Sequence, residues 1–152
     1  MDDEHIAEAL RVYVKLLRAG RAVLARVEPR LAAAGLTPTQ LGVLEAILHK
    51  GPLTQRELGR KVLTSAGNMT DVVDKLEGRG LVRRTRSPRD RRVIPVELTQ
   101  SGRTLIEGLF PDHARDIAEA MGGLSCEELR VLDDLLRRLG LIAAGEDPAA
   151  MK

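Results

Sequence analysis

The sequence predicts a mainly α fold with a small β wing, in which a winged helix-turn-helix lobe over residues 37–99 lies between N- and C-terminal helical segments. Three observations lead there. Capping signals at Thr54 and again at Thr64 or Ser65 open two short helices joined by about three residues, the spacing of a helix-turn-helix. An alternating apolar segment around Ile94, Val96 and Leu98 follows, which reads as a half-buried strand. Between helix and strand stand Arg79, Arg83, Arg84, Arg86, Arg89, Arg91 and Arg92, opposed only by Asp90.

The elements follow in order. Ile6, Leu10, Tyr13, Leu17, Leu24, Val27 and Leu31 are spaced by 4, 3, 4, 7, 3 and 4 residues, a heptad-like stripe on one long helix. Val12, Leu16 and Val23 widen it, and Pro29 is expected to kink or interrupt the helix near its end. Thr37, Pro38 and Gln40 form a capping box for the next helix, whose buried stripe is Leu41, Leu44, Ile47 and Leu48. Thr54 and Glu57 make a second box ahead of Leu58 and Val62. The third short helix, residues 65–79, buries Met69, Val72, Val73 and Leu76. Residues 81–86 and 93–98 then pair as a hairpin around a turn at residues 87–90, and the strand is expected to lie at an edge at Pro95, which lacks an amide proton. Thr99 caps a helix running to about Met121. Ser125 and Glu128 box the last helix, whose stripe is Leu129, Leu132, Leu136 and Leu139. The chain reads as a single domain, residues 1–152, with an aperiodic tail at 143–152 expected to fray.

Charge is unevenly distributed. The net +2 divides into +1 over residues 1–53, +5 over 54–98 and −4 over 99–152, so one region alone suits an anionic partner. Tyr13 and Phe110 are the only aromatic residues among Phe, Trp and Tyr. Single-stranded nucleic acid is usually held by aromatic stacking, so duplex DNA is the expected partner. The single cysteine, Cys126, suits a reducing cytoplasm. No apolar leader opens the acidic N-terminus, and the longest uncharged stretch, residues 31–44, is too short for a membrane span. No phosphate loop, zinc-protease motif or serine elbow points to an enzyme, and no cofactor is expected.

The candidate interface has two parts. With its apolar face buried, the third short helix offers Ser65, Gly67, Asn68, Thr70, Asp71 and Lys75. Asn68 can pair with an adenine edge, Thr70 can meet a thymine methyl or a phosphate, Asp71 can accept from a cytosine amine, and Lys75 reaches phosphate. The wing offers Arg84, Arg86, Arg89, Asp90, Arg91 and Arg92. Guanidinium forks suit phosphate oxygens, and an arginine at a hairpin tip can enter a minor groove.

These motifs resemble the MarR family of bacterial transcription regulators. Leu81-Val82-Arg83-Arg84, Asp90-Arg91-Arg92 and Leu98-Thr99-Gln100-Ser101-Gly102 are similar to its wing signature. Gly35 to Gln40 resembles the opening of its second helix, and Asp74 to Gly80 the end of its recognition helix. The resemblance covers roughly residues 5–140. It implies a homodimer whose N- and C-terminal helices, residues 4–35 and 100–142, intertwine. It implies a pseudo-palindromic operator with half-sites ~10 bp apart, near the protein's own promoter. It also implies that Asp90 orients the wing through an ion pair, that Arg91 enters the minor groove, and that the protein is a repressor relieved by a small aromatic or phenolic ligand. Tyr13, His49, Phe110 and His113 are the candidate pocket residues, and the stretches around His49 and His113 resemble a quinone-responsive branch. One departure is Asp71, where the family often has arginine.

Two alternatives stand beside that reading. Cys126 opens a helix whose dipole favours thiolate while Glu127 and Glu128 oppose it, which gives a thiol-redox-controlled regulator. The other is an effector-free, DNA-binding architectural protein. A metal sensor built on Asp112, His113 and Asp116 lacks a nearby cysteine or a second histidine in register.

Overall fold

The computed structural model of the chain describes residues 2–62 and 66–145. Two compact units divide it at residue 117. The first holds α1 (Asp3–Ala33), α2 (Pro38–Lys50), α3 (Gln55–Lys61), α4 (Ala66–Gly78), β1 (Val82–Arg84), β2 (Val96–Leu98) and most of α5 (Gln100–Ala120). The second holds the end of α5 and α6 (Cys126–Ala143).

Helix starts lie where the side chains can satisfy orphan amides. Thr37, Thr54 and Ser125 each accept from the backbone N–H three residues on, and Gln40, Glu57 and Glu128 each accept from the cap's own N–H. Asp2 caps α1 by accepting from His5 N–H at 2.8 Å. Gly51 closes α2 at φ 80°, a backbone that L side chains rarely adopt. Thr64 and Ser65, expected to cap α4, lie outside the described residues, as does the tail from residue 146.

The core of the first unit forms where α2, α3, α4 and the hairpin converge. Leu41, Val43, Leu44 and Ile47 of α2 meet Leu58 of α3 and Met69, Val72, Val73 and Leu76 of α4. Val82 and Val96 close it from the hairpin, Leu31 from α1 and Ile106 from α5. Leu48 and Val62, expected inside, are half-buried at its margin.

Two sequence expectations are corrected. Pro29 does not interrupt α1, which continues as helix to Ala33. Proline removes a single amide donor, and the last turn is held by buried Val27 and Leu31 and by Arg30, which pairs with Asp112 and Asp116 of α5. The strands are shorter than expected, with register Val82↔Leu98, Arg83↔Glu97 and Arg84↔Val96. Val93 and Ile94 are exposed, and Pro95 lies just before β2 rather than within it. At Val96 the strand is no edge: its N–H donates to the Leu53 carbonyl (2.7 Å) and its carbonyl accepts from Leu53 N–H (3.1 Å), opposite its pairing with β1. Beyond β1 the hairpin continues irregularly. Thr85 N–H donates to the Pro95 carbonyl and Ser87 N–H to the Val93 carbonyl, each at 3.0 Å.

Gly102 is required by close approach. A Cβ there would collide with the Leu81 carbonyl oxygen, which accepts from Thr99 N–H at 3.1 Å. Thr99 also caps α5 by accepting from Gly102 N–H at 3.0 Å. Helix α5 is thereby seated against the base of the wing.

Both units leave apolar surface uncovered. On α1, Ile6, Leu10, Val12, Tyr13, Val14, Leu16, Leu17 and Leu24 are exposed. On α6 no residue is buried, and Val131, Leu135, Leu136, Leu139 and Ile142 are exposed. No single helix among the described residues is long and apolar enough to cross a membrane.

Candidate nucleic-acid interface

Helix α4 turns its apolar side inward and its polar side out, as its spacing requires. Met69, Val72, Val73 and Leu76 are buried, whereas Gly67, Asn68, Thr70, Asp71 and Lys75 are all exposed. Ser65 lies outside the described residues. Asp71 and Lys75, one turn apart, form an ion pair at 2.8 Å. Thr70 Oγ1 accepts a hydrogen bond from Gln55 Nε2 at 2.9 Å, which ties α4 to the start of α3.

The seven arginines of residues 79–92 divide by task. Arg79 donates to the carbonyls of Gly35 and Ala34, closing the C-terminal end of α1. Arg83 pairs across the hairpin with Glu97, its register partner. Arg84 is the most engaged. Its Nη1 donates to Glu77 (2.8 Å), its Nη2 to Asp74 (2.5 Å) and its Nε to Gln55 Oε1 (3.0 Å), and its backbone N–H reaches Glu77 at 2.9 Å. The two carboxylates raise the guanidinium pKa further against the opposing effect of burial. Arg84 therefore clamps β1 onto α4.

The remaining arginines stand at the wing tip. Ser87 Oγ accepts from the N–H groups of Arg89 and Asp90. Asp90 accepts from Arg92 three times, through the backbone N–H (3.0 Å), Nε (3.1 Å) and Nη2 (3.2 Å). These bonds, from the side chain first and then the backbone, hold the Asp90 carboxyl below its usual range. The acid thus braces the wing through its neighbour and leaves Arg92 highly exposed. Arg86, Arg89 and Arg91 are exposed, and among the described residues no side-chain partner holds them. The hairpin presents three unpaired cations and one braced one beside a polar helix face.

Two residues that hold this lobe together have partners that the sequence does not reveal. Gln55 reads only as a residue within a capping box, and its partners Thr70 and Arg84 lie 15 and 29 residues away. Arg79 reads as one more arginine of the run. Its carbonyl partners, 44 and 45 residues upstream, carry no side-chain signal.

Of the four candidate pocket residues, the structure brings two into ring contact. His49 meets Phe110 edge-on, with centroids 5.3 Å apart and planes at 64°. His49 Nδ1 donates to the Glu45 carbonyl at 2.9 Å, which fixes its tautomer. His113 follows Phe110 by one turn of α5 and is buried, and its Nδ1 finds no hydrogen-bond partner among the described residues. Tyr13 is exposed on the apolar face of α1 and makes no ring contact with them. Asp112 and Asp116, weighed as metal ligands with His113, are engaged by Arg30, which lowers the pKa of Asp116. Cys126 is exposed at the first position of α6.

Comparison with known proteins agrees with this geometry. The family model described as MarR family matches residues 36–94, which span α2 to the wing. The chain is 39% identical over 136 residues to the HTH-type transcriptional regulator MhqR of Bacillus subtilis (strain 168), covering 90% of this chain and 94% of that protein. A crystal structure of a probable transcriptional regulator from Pseudomonas aeruginosa superposes with TM-score 0.75 at 34% identity, covering 84% of this chain and 96% of the other. A structure of Bordetella bronchiseptica BpsR, described as regulated in its DNA binding by 6-hydroxynicotinic acid, superposes with TM-score 0.76 at 29% identity over 84% of this chain and 91% of the other.

Proposed function

The chain belongs to the MarR family of helix-turn-helix transcriptional regulators, and from that premise we propose that it is a homodimeric repressor of a pseudo-palindromic DNA site, released by a small aromatic ligand. The observation that carries the DNA-binding half is the pairing of two surfaces on one lobe. The α4 face offers Asn68, Thr70 and Asp71 to base edges, and Arg86, Arg89, Arg91 and Arg92 offer charge to phosphates. Arg91 enters the minor groove in this reading, and the Asp90–Arg92 brace sets the tip that carries it.

The dimer rests on the apolar residues of α1 and of α6, which a single chain leaves in water. A second copy of the chain covers both faces, and the intertwining expected of the flanking helices is the arrangement that does so. The ligand half rests on the buried, unpartnered His113 Nδ1, one turn from the Phe110 ring that His49 contacts. An aromatic ligand with a polar substituent satisfies such a nitrogen and stacks beside that ring. BpsR, whose DNA binding is regulated by 6-hydroxynicotinic acid, supports the same chemical class.

Nuclease footprinting on the DNA flanking the protein's own gene tests the proposal. The expected result is a protected pseudo-palindrome with half-sites ~10 bp apart. Its protection is lost on adding a phenol, a quinone or a salicylate-like acid. Equal affinity for random and promoter DNA at physiological salt contradicts the regulator and favours an architectural protein.

A further inference from the structure

Gln55 occupies the first position of α3 and is half-buried between the wing and α4. Its amide has one carbonyl oxygen, which only accepts, and one NH2, which only donates. Both are engaged: Oε1 accepts from Arg84 Nε at 3.0 Å, and Nε2 donates to Thr70 Oγ1 at 2.9 Å. The orientation of this amide is dictated by chemistry. A guanidinium has no acceptor, so Gln55 must turn its oxygen to Arg84 and its NH2 to Thr70. Arg84 cannot swing away from Gln55, because Asp74 and Glu77 hold its other two nitrogens.

The consequence falls on Thr70. Its Cβ carries both the hydroxyl and the methyl, so fixing Oγ1 against α3 fixes the methyl as well. We propose that Gln55 is a positioning residue for recognition: anchored by Arg84, it draws the Thr70 hydroxyl toward α3, so that Thr70 reads DNA with its methyl and selects thymine by methyl–methyl contact in the major groove. The inference rests on the reading above that α4 lies in the major groove.

Selection from a random duplex pool by the full-length protein and its variants tests it, with thermal melting run alongside. Wild type selects thymine at one step of each half-site. Gln55→Ala loses about tenfold of that preference at the same step, with its salt slope unchanged and its melting temperature lowered but still well above the selection temperature. Thr70→Val, which keeps the methyls, retains the preference, and Thr70→Ser, which keeps only the hydroxyl, loses it. Unchanged selection by Gln55→Ala, or a preference kept by Thr70→Ser and lost by Thr70→Val, overturns the inference alone. Absence of any selected sequence in the wild type overturns the regulator reading itself.

Discussion

At the scale of single residues, a run of like charges is a poor guide to what each charge does. Arg79, Arg83 and Arg84 are used inside the lobe, by the end of α1, by Glu97, and by Asp74, Glu77 and Gln55. Arg84 is the one whose loss should be felt in the fold, because its removal leaves two carboxylates facing each other's charge at the α4–β1 junction. Arg84→Ala is expected to lower stability by about 2 kcal/mol in denaturant unfolding. Arg84→Lys should recover little of it, since an ammonium cannot reproduce the three-way fork. Gly102→Ala should cost more, roughly 3 kcal/mol, because the new methyl meets backbone that is itself hydrogen-bonded. A Gly102→Ala protein as stable as wild type would show that α5 can lift from Leu81 freely. None of these roles is written locally. The seven arginines are visible in the sequence, but the three used inside the lobe find their partners between 7 and 45 residues away, and only the Arg92–Asp90 pair is local.

At the scale of elements, the helices were the legible part. Their starts are set by short-range bonds that a four-residue pattern encodes, which is why Thr37, Thr54 and Ser125 read correctly as caps. The buried face of α4 follows from spacing alone. The strands were harder, because their ends depend on what lies across the hairpin: Val96 is pinned between Arg84 and Leu53, whereas Val93 and Ile94 belong to the exposed tip. Pro29 leaves α1 uninterrupted for the complementary reason, since tertiary anchoring of the last turn of α1 outweighs one lost amide bond. The capping boxes also predict a pH dependence. Hydrogen bonds from the backbone and side chain of Thr54 and of Ser125 lower the pKa of Glu57 and Glu128 from 4.5. A depressed folded pKa stabilises above the unfolded value and is lost as pH falls through the folded one. The melting temperature should therefore hold steady from pH 7 to about pH 5 and fall below about pH 4.5. Glu57→Gln, which can still accept from Thr54, should flatten part of that fall. An unaltered acid limb in this variant would remove Glu57 from the account.

At the scale of the whole molecule, two features remain open in a single chain: the apolar faces of α1 and α6, and the cationic wing beside the α4 face. The first predicts self-association. Leu10→Glu and Leu139→Glu each place a charge in an exposed apolar stripe and should shift sedimentation from dimer to monomer, and a dimer unaffected by both would locate its interface elsewhere. The second feature carries the central claim, that the wing supplies affinity and register through charge while the helix face supplies sequence choice. The arginine count made the wing's basic character legible, but only the three-dimensional arrangement separates the arginines that reach outward from those that hold the lobe together. The most direct measurement is the salt dependence of binding to a footprinted duplex, comparing wild type with Arg91→Ala and with the combined Arg86, Arg89 and Arg91→Ala variant. The account predicts that the slope of log K against log salt falls by about 0.9 for each phosphate contact removed, with the dimer and the preferred sequence retained. An unchanged slope and affinity in the triple variant would contradict it.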